Sequence, residues 1–188
     1  MNDYCFDLTI PVPHPLADPN VLTWKHEAEP NIWWADKTNI SKEFVEFLDS
    51  VGLTMTYPIL LFYTPAMQGI PIHIDGSNPL SNRAVMNWCV GGNESEMLWY
   101  KLKDSIDADV KETTAGTPYT RYTDDQVVFL HRQAVKWPSI VQTGIPHKVT
   151  NYGADKRWVL SCDLSLKSAP NDGLTWEQAK EIFKQWIL

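Results

Sequence analysis

From Leu53 to Leu166 the chain is a succession of short apolar or alternating runs. They read "LTMTYPILLFYT", "IPIHID", "RAVMNWCV", "EMLWYKL", "TPYTRY", "QVVFLHR", "HKVTNY" and "RWVLSCDLSL", with Gly, Asn, Asp and Pro between them. Alternation every second residue fits a strand with one face buried and the other wet. About eight short strands at this spacing predict a β-sandwich or barrel.

Helices flank this body. In "NISKEFVEFLDSVG", Ser41 is a predicted N-cap, Phe44, Val45, Phe47, Leu48 and Val51 form an apolar face, and Gly52 ends the element. In "LTWEQAKEIFKQWIL", Thr175 and Gln178 fit a capping box, and Trp176, Ala179, Ile182, Phe183 and Trp186 share a face. Residues 1–40 are rich in proline and tryptophan and read as extended chain and loops laid over the body. The 188 residues are expected to form one domain: an N-terminal extension and helix over 1–52, a jelly-roll core over 53–166 and a C-terminal helix over 167–188.

Composition narrows the partners. A net charge of −7 argues against a nucleic-acid backbone or an anionic membrane as the main partner. The longest apolar run, "YPILLFY", is far too short to span a bilayer. The N-terminus lacks a charged stretch followed by an apolar one, so no signal peptide is expected. Three widely spaced cysteines, Cys5, Cys89 and Cys162, read as reduced thiols in a cytoplasmic protein. The 9 tryptophans suit a core or pocket rich in large rings.

The chemistry concentrates in "IPIHIDGSNPL", where an apolar alternating run ends on His73, Ile74 and Asp75. Residues two apart on a strand point to one face, ~7 Å apart. A long imidazole and a short carboxylate converge across that gap, most easily where the strand is ending, as Gly76 and its neighbours indicate. A third ligand candidate, His147, opens the run "HKVTNY" after a Gly–Pro turn. His131, at the end of "VVFLHR", is the rival ligand, disfavoured by Arg132 beside it; His14 and His26 lie in polar or proline-rich stretches and read as surface residues.

Ten positions after His147 comes Arg157, at the start of "RWVLSCDL". Arg157, Val159, Ser161 and Asp163 share one strand face, and Trp158, Leu160 and Cys162 the other. An inward-facing arginine in an apolar strand needs an anion. Asp163 on its own face is one possibility, and a bound carboxylate is the other.

His73-x-Asp75, then His147, then Arg157 resembles the iron(II)- and 2-oxoglutarate-dependent oxygenase superfamily. The runs "HIDGSNPLSNRAVMNWCV" and "HKVTNYGADKRWVLS" are similar to those of its small bacterial and phage members. The likeness covers residues 60–165 or so and leaves both termini unmatched. It implies a double-stranded β-helix (jelly roll, cupin-like) in which His73, Asp75 and His147 hold Fe(II) as a facial triad. It further implies that Arg157 pairs with the far carboxylate of 2-oxoglutarate, that Ser161 adds a hydroxyl contact, and that Asn87 and Tyr63 are polar contacts to the same cosubstrate. Arg83 reads as a surface or gate residue. The implied reaction is oxidative decarboxylation of 2-oxoglutarate to succinate, coupled to oxidation of a small-molecule or peptide substrate. Two other classes fit the same residues: a cupin-like metalloprotein that does not use 2-oxoglutarate, with Arg157 salt-bridged to Asp163, and a non-catalytic jelly-roll binding module that grips its ligand with tryptophans such as the Trp33–Trp34 pair.

Overall fold

The computed structural model describes residues 2–12, 15–16, 31–35, 37–56, 59–66, 70–76, 82–103, 109–113, 115–135 and 138–188; within these, the side chains of 31, 33, 34, 37 and 59–63 are not described. Two antiparallel sheets form a jelly roll. In chain order the strands are β1 (Cys5–Asp7), β2 (Asn31–Ala35), β3 (Leu53–Met55), β4 (Ile59–Thr64), β5 (His73–Asp75), β6 (Ala84–Gly91), β7 (Ser95–Leu102), β8 (Asp109–Glu112), β9 (Pro118–Arg121), β10 (Val127–Gln133), β11 (Ser139–Gln142), β12 (His147–Asn151), β13 (Arg157–Leu166) and β14 (Ala169–Gly173). One sheet runs β1-β11-β6-β13-β4-β2, with β3 and β14 also on β13; the other runs β10-β7-β12-β5-β9-β8. Strands from outside 53–166 thus take part, since β1 pairs with β11, β2 with β4 and β14 with β13.

The two helices pack on the outer face of the first sheet. Helix α1 (Lys42–Ser50) starts where expected: Ser41 accepts a hydrogen bond from the Phe44 N–H at 3.3 Å. Phe44, Phe47 and Leu48 are buried, but Val45 is turned to solvent, so the apolar stripe is narrower than the sequence predicts. Helix α2 (Trp176–Phe183) carries the capping box, with the Gln178 N–H donating to Thr175 Oγ1 at 3.3 Å and the Thr175 N–H to Gln178 Oε1 at 3.0 Å. Both helices share one core with Met86, Trp88, Trp158, Leu160, Cys162 and Leu164, the outward residues of β6 and β13. Trp88 meets Phe44 edge-on at 5.8 Å between ring centroids.

Because successive strand residues alternate faces, burying Trp88, Trp158 and Cys162 under the helices turns Asn87, Cys89, Arg157, Ser161 and Asp163 into the space between the sheets. A second core cluster fills part of that space, with Val85, Val141 and Cys5 from one sheet and Met97, Trp99 and Val149 from the other.

Candidate metal centre

β5 and β12 are neighbours in the second sheet, and His147 stands directly opposite His73. Opposed residues on antiparallel strands share a face, so both imidazoles and Asp75 project together. His73 Nε2 lies 3.4 Å from Asp75 Oδ1, and His147 Nε2 lies 3.9 Å from the same oxygen. One donor atom from each residue falls within 4.8 Å of the other two, a spacing that could hold one metal ion. The local chain explains the convergence. Gly76, at φ +83°, turns the strand immediately after Asp75, and the Asp75 N–H is taken by the Thr143 carbonyl at 3.3 Å.

The ring orientations are fixed from behind. His73 Nδ1 lies 2.8 Å from the Pro71 carbonyl, and His147 Nδ1 lies 2.9 Å from that of Ile145. A carbonyl only accepts, so both Nδ1 atoms carry the proton and both Nε2 lone pairs face Asp75, the usual outer arrangement of metal-ligating histidines. Charge state agrees. Burial, helped by the neighbouring His73, lowers the His147 pKa from 6.5 to about 4, so its imidazole is neutral at pH 7. Burial pushes the Asp75 carboxyl up, but its polar neighbours His73 and His147 and the Arg83 guanidinium outweigh it and hold the group well below the usual range. Two imidazole nitrogens and one carboxylate suit a first-row divalent metal and leave positions open for other ligands.

Beyond this triad the interior is polar and unsatisfied. Arg157 is 2% exposed. Its Nη2 reaches Cys89 Sγ at 3.2 Å, and its Nε has no hydrogen-bond partner among the described residues. Thr64, opposite Arg157 on β4, is fully buried, and neither its hydroxyl nor Asn87 Oδ1 has a hydrogen-bond partner among the described residues. Gly92 makes room for the arginine: a Cβ there would come within 2.6 Å of Arg157 Cβ.

The pairing of Arg157 with Asp163 is corrected by the structure. Asp163 Oδ2 accepts a hydrogen bond from Arg83 Nη2 instead. Arg157 and Asp163 are six positions apart on the strand, roughly 20 Å, which no side-chain pair on one straight strand can bridge. Arg83 is therefore a half-buried partner of Asp163 rather than a free surface or gate residue. The other sequence-selected residues fall as follows. Ser161 and Asn87 are opposite one another on β13 and β6. Tyr63 lies in β4 opposite Trp158, with its side chain outside the described residues. The side chains of Trp33 and Trp34 are also outside them, as are His14 and His26. His131 is one strand beyond Trp99, which separates it from His147; its ring stacks on Tyr4 at 5.4 Å, so it stands apart from the triad. Sequence reasoning passed over Thr64, and over Tyr119, whose ring meets His73 edge-on at 5.9 Å. The alternation in "TPYTRY" was the available signal for Tyr119.

No family model and no curated protein matches the chain. Among solved structures, it is similar to oxalate decarboxylase from Bacillus subtilis at 13% identity, covering 82% of this chain and 29% of that one with a TM-score of 0.33. The chain thus spans under a third of that protein's length. It is also similar to peruvianin-I, a cysteine peptidase from Thevetia peruviana latex, at 13% identity, 93% and 94% coverage and a TM-score of 0.35. Oxalate oxidase in complex with the substrate analogue glycolate gives 13% identity, 90% and 80% coverage and a TM-score of 0.33. Likeness at this level carries no conclusion about chemistry.

Proposed function

We propose that the protein is an iron(II)- and 2-oxoglutarate-dependent dioxygenase acting on a small-molecule or peptide substrate. The observation that carries the reading is Arg157: a buried guanidinium with no carboxylate beside it among the described residues, in the same interior as the His73–Asp75–His147 cluster. An unpaired buried charge is costly, and a dicarboxylate ligand removes that cost.

His73, Asp75 and His147 would hold the iron through two Nε2 atoms and one carboxylate oxygen. Bound there, iron(II) supplies oxygen-activating redox chemistry, coupled to decarboxylation of 2-oxoglutarate to succinate. The chain's own residues bind and orient. Arg157 takes the far carboxylate through its planar fork, as a lysine could not. Asn87, Ser161 and Thr64 offer polar contacts along the same interior face. The apolar cluster of Val85, Met97, Trp99, Val141 and Val149 limits water around the reacting atoms.

The test is anaerobic addition of Fe(II) and 2-oxoglutarate, followed by visible absorption. The expected result is a weak charge-transfer band that needs both components. Tight Fe(II) binding with no spectral response and no affinity for 2-oxoglutarate would end the cosubstrate assignment and leave a metalloprotein of another kind.

A further inference from the structure

Cys89 stands apart from the other two thiols. Cys5 and Cys162 are 1% and 0% exposed, whereas Cys89 is only half-buried. It faces the interior, opposite Val159, and its Sγ lies 3.2 Å from Arg157 Nη2. The guanidinium beside it is itself 2% exposed, with an unpartnered Nε. The thiol of a half-buried residue therefore sits against a buried guanidinium that has no anion beside it among the described residues.

We propose that Cys89 is an oxidation site whose sulfinate would take the anion position beside Arg157 and exclude the carboxylate ligand. The last clause rests on the cosubstrate reading above; the modification itself does not. With hydrogen peroxide as oxidant, the Cys89 sulfur attacks one peroxide oxygen, the O–O bond breaks, and the other oxygen leaves as water with the thiol proton. This two-electron step gives a sulfenic acid. A second peroxide repeats it, giving a sulfinic acid and a second water. The sulfinic proton goes to solvent, and two sulfinate oxygens remain facing the guanidinium fork, much as a carboxylate would.

Relative reactivity follows from the surroundings. Burial pushes the Cys89 thiol up, and Arg157 pulls it back. Burial pushes Cys5 and Cys162 well up, and Asp7 and Asp163 respectively push them further. The smaller burial of the residue and the guanidinium beside its sulfur both favour Cys89.

The experiment treats the full, metal-free chain with hydrogen peroxide and locates added oxygen by peptide mass spectrometry, then measures 2-oxoglutarate affinity in the Fe(II)-loaded protein. Cys89 is expected to gain two oxygens before Cys5 or Cys162 gains any. Arg157→Met should slow that gain about 10-fold, and the oxidised protein should bind 2-oxoglutarate at least 30-fold more weakly. Treated and untreated Cys89→Ser should bind it alike. Equal oxidation of Cys5 or Cys162, a Cys5–Cys89 disulfide in place of the sulfinate, or unchanged affinity after oxidation would overturn the proposal. An untreated parent that fails to bind 2-oxoglutarate sinks the cosubstrate reading and the blocking role with it, while the order of oxidation and its dependence on Arg157 still decide the modification site.

Discussion

His73 and His147 face each other across neighbouring antiparallel strands, with ring centroids 4.4 Å apart and each ring anchored through Nδ1 to a backbone carbonyl. Both Nε2 atoms are turned toward Asp75, where one ion could meet all three groups. His147→Ala removes one of three donors and should abolish stoichiometric Co(II) or Fe(II) binding while far-ultraviolet circular dichroism stays that of the parent. Calorimetric titration with Co(II) is the check; parent-like affinity in the variant would remove His147 from the ligand set.

Protonation of His147 should show in the metal-free chain. His147 has a folded pKa of about 4 against 6.5 when unfolded. Between those values the unfolded chain binds more protons, so stability rises with pH across the window and is lost as pH falls through it. At about 1.4 kcal/mol per pH unit, the loss from this group is on the order of 3 kcal/mol. Urea unfolding at pH 7 and pH 4.5 should show it, and His147→Gln should flatten the difference. A parent as stable at pH 4.5 as at pH 7 would contradict the buried, neutral state of this ring.

Arg157 separates binding from stability. Arg157→Lys keeps the charge and loses the fork; Arg157→Met loses both. The loss of a desolvated charge-assisted contact is worth roughly 2–5 kcal/mol, or about 30- to several-thousand-fold in 2-oxoglutarate affinity. Asp163 is paired with Arg83, so Arg157→Met leaves no carboxylate orphaned. The melting temperature of ligand-free Arg157→Met should therefore equal or exceed that of the parent. A large drop in melting temperature with affinity intact would make the residue structural.

Gly92 holds φ +62° and packs against the Arg157 stem. Gly92→Ala combines backbone strain with a clash and should cost ~1–3 kcal/mol in stability. Because the clash falls on the arginine, 2-oxoglutarate affinity should fall too. Denaturant midpoints and a binding titration on the same sample test both halves.

The Arg83–Asp163 pair is partly screened, with side chains 31% and 28% exposed. Arg83→Met should cost about 1–2 kcal/mol by leaving Asp163 unpaired. Adding Asp163→Asn should recover much of it, since the stranded charge is then gone. Thermal melts of the two single variants and the double variant measure this coupling.

Local order was readable in the sequence because it is set by neighbours along the chain. Ser41 and the Thr175–Gln178 box cap their helices through backbone groups three residues away. The run "RWVLSCDLSL" became β13 from its first residue to its last, because its alternation suits a strand buried on both faces. The order His73, Asp75, His147, Arg157 singled out residues that the fold gathers between two sheets. What the sequence left open was distance through space. Arg157 and Asp163 share a strand face and look like partners, yet they lie six positions, roughly 20 Å, apart along the strand. Asp163 finds Arg83, which is 80 positions away in the chain but close across the sheet. Strands β8 and β11 lack strong apolar alternation and were invisible alone; β11 exists through its partners β1 and β6. Cys89 had an even choice of face until Trp88 was drawn under the helices. Side-chain alternation fixes only which residues go together. Which way they turn, and whom they meet, follows from the apolar area buried when helices cover one face of the sheet, a quantity that exists only in the assembled fold.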